Sequence, residues 1–201
     1  MIFECMQKER LPLSKHEFIR NGEVIGNAET PKMGFSKMSF GPDSFTVQFQ
    51  SFKRIDIIQN GTVVGSICPQ LCVTKKILFL KTGYEYYEFS LNGDTVTVYE
   101  TGLGAGKHFY SIYRNEKVIA VIHKQDRVVA HLDKYVCYVD DSCDAVFAAV
   151  YCMFLESIAY YNLDATEDTD DSTATYTAQK ELQEKYDPSF IERIIARDGK
   201  N

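Results

Sequence analysis

DDSCDAVFAAVYCMFLESIAYYN, residues 140–162, is the most apolar stretch of the chain, and the fold turns on what surrounds it. Its apolar part, 145–161, covers about 17 residues, or roughly 25 Å of helix at about 1.5 Å per residue. A bilayer core of about 30 Å asks for about 20 apolar residues. Glu156 and Ser157 lie within the run, and a carboxylate inside a membrane is costly. The flanks carry Asp140, Asp141 and Asp144 before it and Asn162 and Asp164 after it, with no Lys/Arg cluster to orient an insertion. The segment is therefore expected to be a helix buried in protein.

Local chemistry favours that helix. Asp141 or Ser142 can cap its N-terminus, and Asp144 sits where a carboxylate meets the positive end of the helix dipole. Val146, Phe147, Val150, Tyr151, Met153, Phe154, Leu155 and Ile158 together cover nearly the whole circumference. A helix that is apolar all round, and not in lipid, needs a protein wall on every side. The preceding residues must supply it.

They read as strands. From residue 15 to 140 the apolar period is two, with turn signals about every 8–12 residues, as in an all-β sandwich or barrel. FTVQFQ (45–50) places Phe45, Val47 and Phe49 on one side. RIDIIQNGTVVGSI (54–67) is a hairpin around Asn60-Gly61, a preferred type I′ pair. YYEFSLNGDTVTVYE (86–100) repeats the device at Asn92-Gly93, with Val96 and Val98 facing one way and Thr95 and Thr97 the other. HEFIRNGEVIGNAE (16–29) is a further hairpin. HFYSIYRNEKVIAVIHKQDRVVAHLDKYVCYV (108–139) reads as four short strands with turns near Asn115-Glu116, Gln125-Asp126 and Asp133-Lys134.

Ten to twelve strands joined by tight turns make antiparallel neighbours. Closing them into a ring removes the exposed edges, and a ring of roughly twelve strands is too wide for side chains alone to fill. The expected fold is mainly β: a closed antiparallel β-barrel of about twelve strands around a central hydrophobic α-helix, with a short helical C-terminal tail. The barrel is assigned to residues 1–163 and the tail to 164–201. DATEDTDDSTATYT (164–177) reads as an acidic linker, followed by two short helices in AQKELQEKY (178–186) and DPSFIERIIARDG (187–199). Asp187 with Pro188 opens the last of these, and Arg193, Arg197 and Gly199 suit its other end. Its face of Phe190, Ile191, Ile194 and Ile195 is expected to dock on the barrel.

Charge and motifs narrow the function. A net charge of −6 argues against nucleic-acid partners, since neutralising phosphates takes a basic face. MIFECMQKER lacks the pattern of a signal peptide. Cys5, Cys68, Cys72, Cys137, Cys143 and Cys152 follow no disulfide framework, and CPQLC has the wrong spacing and no second pair for zinc. Free thiols suit a reducing cytoplasm, the expected location. TGLGAGKHFY (101–110) fails as a phosphate loop, because three residues separate Gly102 from Gly106, His108 follows Lys107 and no helix comes next. An EF-hand loop from Asp164 would need Gly and Glu where Thr169 and Thr175 stand. Asp133, Asp140, Asp141 and Asp144 read as a capping and solvated cluster. His108, His123 and His131 lack ligand-spaced partners. Glu156 inside a barrel must be protonated or paired with an inward Lys, Arg or Tyr.

One stretch carries a family resemblance. DAVFAAVYCMFLESIAYY (144–161) looks like the C-terminal helix of phospholipid scramblases in its small, aromatic and Cys/Met residues with one late carboxylate. YSIYRNEKVIAVIHKQ (110–125) is similar to the penultimate hairpins of LURP-one-related proteins. Strands followed by such a helix resemble the tubby C-terminal-like superfamily, in architecture over residues 1–162 and in sharper matches over the last fifty or so of these. The resemblance implies a twelve-stranded barrel around a central helix. The scramblases' Pro-rich N-terminal region and palmitoylated cysteine cluster have no counterpart in this sequence. Lys53-Arg54 and Lys75-Lys76 are basic pairs whose neighbouring members would point to opposite faces of a strand, so no lipid site carries over. The expected function is a non-catalytic cytosolic barrel module, without cofactor or metal, that binds a protein or an anionic lipid head group such as a phosphoinositide. A scramblase-like membrane-active protein is the alternative. No binding residue and no oligomeric state can be assigned from these residues.

Overall fold

In the computed structural model, residues 1–10, 13–77, 80–125, 132–159 and 175–198 are described. Twelve strands precede the apolar helix. They are β1 (Ile2–Glu9), β2 (Ser14–Arg20), β3 (Glu23–Lys32), β4 (Phe35–Phe40), β5 (Asp43–Ser51) and β6 (Arg54–Gln59). Then follow β7 (Thr62–Ile77), β8 (Leu80–Leu91), β9 (Asp94–Gly104), β10 (His108–Arg114), β11 (Lys117–Gln125) and β12 (Lys134–Val139). Each pairs antiparallel with the next, and β12 returns to β1, with Ile2 opposite Tyr138 and Cys5 opposite Tyr135. The ring is closed. Its turns at Asn21-Gly22, Asn60-Gly61 and Asn92-Gly93 have positive φ at both residues, the type I′ geometry whose twist matches the flanking strands. These turns, with Asn115-Glu116, lie at the end where the helix begins, here called the near end.

Alternation decides what faces inward. Phe18 of β2, Phe45 and Val47 of β5, Ile55 and Ile57 of β6, and Val96 and Val98 of β9 are all buried in the barrel core. The helix fills the remaining space. Asp141 accepts from the Cys143 backbone N–H at 2.9 Å and opens a single 3-10 turn, Ser142–Asp144. It leads into α1 (Ala145–Phe154), whose residues are buried on every side except at Val146. Phe147 meets Phe89 of β8, Tyr151 meets Tyr87 of β8 and Tyr110 of β10, and Cys152 lies against Cys137 of β12. The α-helix is shorter than the apolar run. After Phe154 the backbone widens into a π turn, Leu155–Ala159, which carries Glu156. No helix among the described residues is long and apolar enough to cross a membrane.

The stretch 108–139 forms three described strands, with β11 pairing directly to β12. Residues 126–131, where a further short strand is expected, lie outside the described residues, as does most of the acidic stretch 164–177. The β7–β8 hairpin is longer than the barrel wall. β6 accompanies β7 only as far as Ile67, and β9 accompanies β8 only from Tyr87 to Leu91. The rest projects from the far end as a two-stranded ribbon. Where β8 leaves β9, the tail takes its place: β13 (Thr175–Tyr176) pairs with Gly104 and Leu103, and the Gly102 N–H donates to Thr177 Oγ1 at 2.9 Å.

Beyond β13, α2 (Lys180–Gln183) buries Leu182, and α3 (Pro188–Asp198) lays Phe190 and Ile194 on Phe109 and Val121 of the outer wall. Asp187 caps α3 through the Ser189 N–H at 3.0 Å. Tyr186 stacks on Phe109 with ring centroids 4.1 Å apart, and Asp198 accepts from the Ile2 N–H at 2.6 Å. The docked face is narrower than the sequence suggests, because Ile195 turns to solvent.

Val150, Met153 and Phe154 point in different directions from α1, successive helix residues turning by about 100°. Each is enclosed. Burying an unpaired carboxylate costs several kcal/mol, against a total stability of about 5–15 kcal/mol. Val150→Asp, Met153→Asp and Phe154→Asp are each expected to leave the protein insoluble or unfolded, as read by soluble yield and near-UV circular dichroism. One well-folded variant of the three would contradict enclosure on every side.

Candidate functional site

Glu156 is the hub of a buried polar cluster where α1 ends. Its carboxylate accepts from the Tyr135 hydroxyl at 2.5 Å and from His16 Nε2 at 2.9 Å. An ionised carboxylate only accepts, so His16 carries its proton on Nε2. Burial alone would push the Glu156 carboxyl up, but His16 beside it, the two hydrogen bonds and the more distant Lys124 outweigh that and hold it below the usual glutamate range. Burial pushes the Tyr135 hydroxyl well up and keeps it a donor. The cluster continues through an ion pair of Lys124 with Asp133, and through Gln7, which donates to Ser14 Oγ at 2.8 Å and accepts from the Asp133 N–H at 3.1 Å. Tyr was among the partners expected for Glu156. His16 was not, although its place two residues before the apolar Phe18, on one face of β2, marks it as inward.

These residues could shuttle a proton, but the cluster is sealed: His16 is 1% and Glu156 4% exposed. The cluster ties the π turn to β2 and β12, and a further bond, from the Gly34 N–H to the Ser157 carbonyl at 2.8 Å, ties it to the β3–β4 turn. Next to it, Cys137 and Cys152 place their sulfurs 3.7 Å apart, with Cys5 adjoining. Burial raises all three thiols, so they stay protonated and unreactive. All six cysteines are free.

The other residues singled out in the sequence separate. Asp140 receives Lys117 at 3.0 Å and Arg197 at 2.9 Å, which hold it below the usual carboxylate range. Asp141 is a cap, and Asp144 pairs with Arg114 at 2.8 Å. Asp133 sits at the opposite end of the barrel, on Lys124. No group of three potential metal ligands exists among the described residues. Residues 102–108 form the β9–β10 turn and its flanks, where His108 meets Glu100 at 2.7 Å and His123 meets the Gly106 carbonyl at 2.9 Å. His131 and the stretch from Asp164 to residue 174 lie outside the described residues. Lys53 is in the β5–β6 turn, not in a strand, while Arg54 is engaged by Asp56 at 2.6 Å.

The far rim is open to solvent and carries the most exposed large apolar side chain among the described residues. Met33 on the β3–β4 turn is 64% exposed and Phe52 on the β5–β6 turn 91%. Lys32, Lys37 and Lys53 surround them, with the first two over the Phe35 ring at 5.7 and 5.8 Å. Leu71 and Val73 are exposed on the neighbouring ribbon. No family model matches the chain, and no match is found among curated proteins or solved structures.

The depressed Glu156 carboxyl makes stability depend on acid. A group whose folded pKa is lowered stabilises above its unfolded value, near 4.5, and that contribution is lost as pH falls through the folded value. The urea midpoint of the native protein should therefore drop as pH falls below 4.5. Glu156→Gln should lose about 1–3 kcal/mol at neutral pH by leaving buried donors badly matched. It should also lose part of the acid dependence. Parallel acid limbs in the two proteins would show that Glu156 does not contribute.

Proposed function

We propose that this chain is a non-catalytic cytoplasmic binding module of the tubby-like kind, which engages a protein or an anionic lipid head group on the outside of its barrel. The observation that carries the reading is the filled interior. α1 occupies the space that a ligand-binding barrel of this width would leave for its ligand, and the buried side chains around it are 0–4% exposed. The acid–base groups that could do chemistry are sealed in the same core, spent on holding α1 in place. A partner therefore meets the outer wall or a rim. The free cysteines suit a reducing compartment. The kinship with tubby-like proteins rests on the ring of twelve strands around one apolar helix.

The test is co-sedimentation of the purified protein with vesicles of phosphatidylcholine alone, or with phosphatidylserine or phosphatidylinositol bisphosphate added, beside affinity capture from lysate. Retention on anionic but not neutral vesicles is expected, or one protein captured in stoichiometric amount. Transbilayer movement of a labelled lipid in the same vesicles would favour a scramblase-like protein instead. Neither binding nor capture would defeat the reading.

A further inference from the structure

The charges of this acidic chain are segregated. From residue 30 to residue 82 there are seven basic residues (Lys32, Lys37, Lys53, Arg54, Lys75, Lys76, Lys81) and two acidic ones (Asp43, Asp56), a net +5. The remainder of the chain has 15 basic and 26 acidic residues, a net −11. Topology brings six of the seven to the far end, on the β3–β4 turn, the β5–β6 turn and the projecting β7–β8 ribbon, and leaves Lys37 just behind them on β4. Asp43 is at the near end, and Asp56 is held by Arg54. Elsewhere on the barrel Lys8, Lys15, Lys117 and Lys134 each pair with a carboxylate. Lys32 and Lys53 make no ion pair among the described residues, and Lys37 stands opposite Glu29 across β3–β4 without closing one.

Two large apolar side chains stand in front of these lysines. Phe52 is fixed edge-on against Phe49, with centroids 5.4 Å apart, and Phe49 donates its N–H to the Gly34 carbonyl at 2.7 Å. Gly34 has φ +72, and a Cβ there would lie 2.7 Å from the Phe49 Cβ. Only glycine lets the β3–β4 turn sit this close to Phe49, which in turn holds Phe52, so Met33 and Phe52 stand on adjacent turns of the same rim. Turn tips are convex. They offer no groove for a folded partner, whereas apolar tips backed by unpaired lysines match a bilayer interface, where apolar groups enter the head-group layer and lysines meet anionic heads.

We infer that the far rim docks this protein on anionic membranes, with Met33 and Phe52 entering the lipid interface and Lys32, Lys37 and Lys53 contacting anionic head groups. This rests on the lipid branch of the proposed function and locates its surface. The chain contains no tryptophan, so Phe52→Trp provides a single fluorophore at the tip. With vesicles of four parts phosphatidylcholine to one part phosphatidylserine, its emission should shift to the blue and be quenched by brominated lipid. With phosphatidylcholine alone it should not. Val24→Trp, at the exposed near end, should show neither change while the protein is bound. Met33→Ser with Phe52→Ser should weaken vesicle partition by about tenfold or more. Lys32→Glu with Lys53→Glu should do the same and reduce its salt dependence. Circular dichroism of each variant checks the fold. Sedimentation of the native protein and of Phe52→Trp with anionic vesicles, without any shift in the variant's emission, would overturn the insertion and leave lipid binding standing. No sedimentation with any vesicle would overturn both, as would salt-sensitive binding to an acidic polypeptide without binding to vesicles.

Discussion

A ring of twelve strands encloses more space than its own inward side chains can occupy, and the structure depends on how that space is filled. α1 answers it by being apolar around its whole circumference. This explains why the segment has the hydrophobicity of a membrane helix and the flanks of a soluble one. Small residues at Ala148 and Ala149 let the wall approach closely, while Phe147, Tyr151 and Phe154 reach across to β8 and β10. The same packing puts α1 where a barrel of this width would otherwise be hollow.

The two ends of the barrel are built differently. At the near end, tight Asn-containing turns and the Arg114–Asp144 pair close the ring around the start of the helix. At the far end the core turns polar: His16 and Tyr135 meet Glu156 where the helix widens, and Gln7 meets Ser14 beside them. An apolar cylinder inside an apolar ring has little to stop it sliding or rotating. A hydrogen-bonded stop at one end ties its depth and rotation to β2, β12 and the β3–β4 turn.

Much of this was legible in the sequence, for identifiable reasons. Asn60-Gly61 and Asn92-Gly93 announce hairpins because few other pairs accept two positive φ values, and the alternation of Val96 and Val98 with Thr95 and Thr97 announces which face is inward. The helix was legible from its composition alone. His16 was passed over because a single histidine in a strand has meaning only once the partner across the barrel, Glu156, is known. The pairing of Thr175 with Gly104 was equally hidden, because it depends on β8 diverging from β9, and the lengths of two strands do not reveal where they part. Lys53 was misread as a strand residue, since the β5–β6 turn carries no Asn-Gly signal. Without its place at a turn tip, the basic rim could not be seen.

The seam between β1 and β12 joins the first strand of the ring to its last across more than a hundred residues, while every other junction of the ring joins neighbours in sequence. Eleven hairpins can form as soon as their own residues are present. The seam cannot, and neither can the core, because α1 follows β12. A chain growing from its N-terminus therefore holds an open sheet with an apolar inner face and two unpaired edges until the last strand and the helix arrive together. Closure and filling become one late event of high contact order, slow by the standard of local hairpins and exposed to aggregation while it waits.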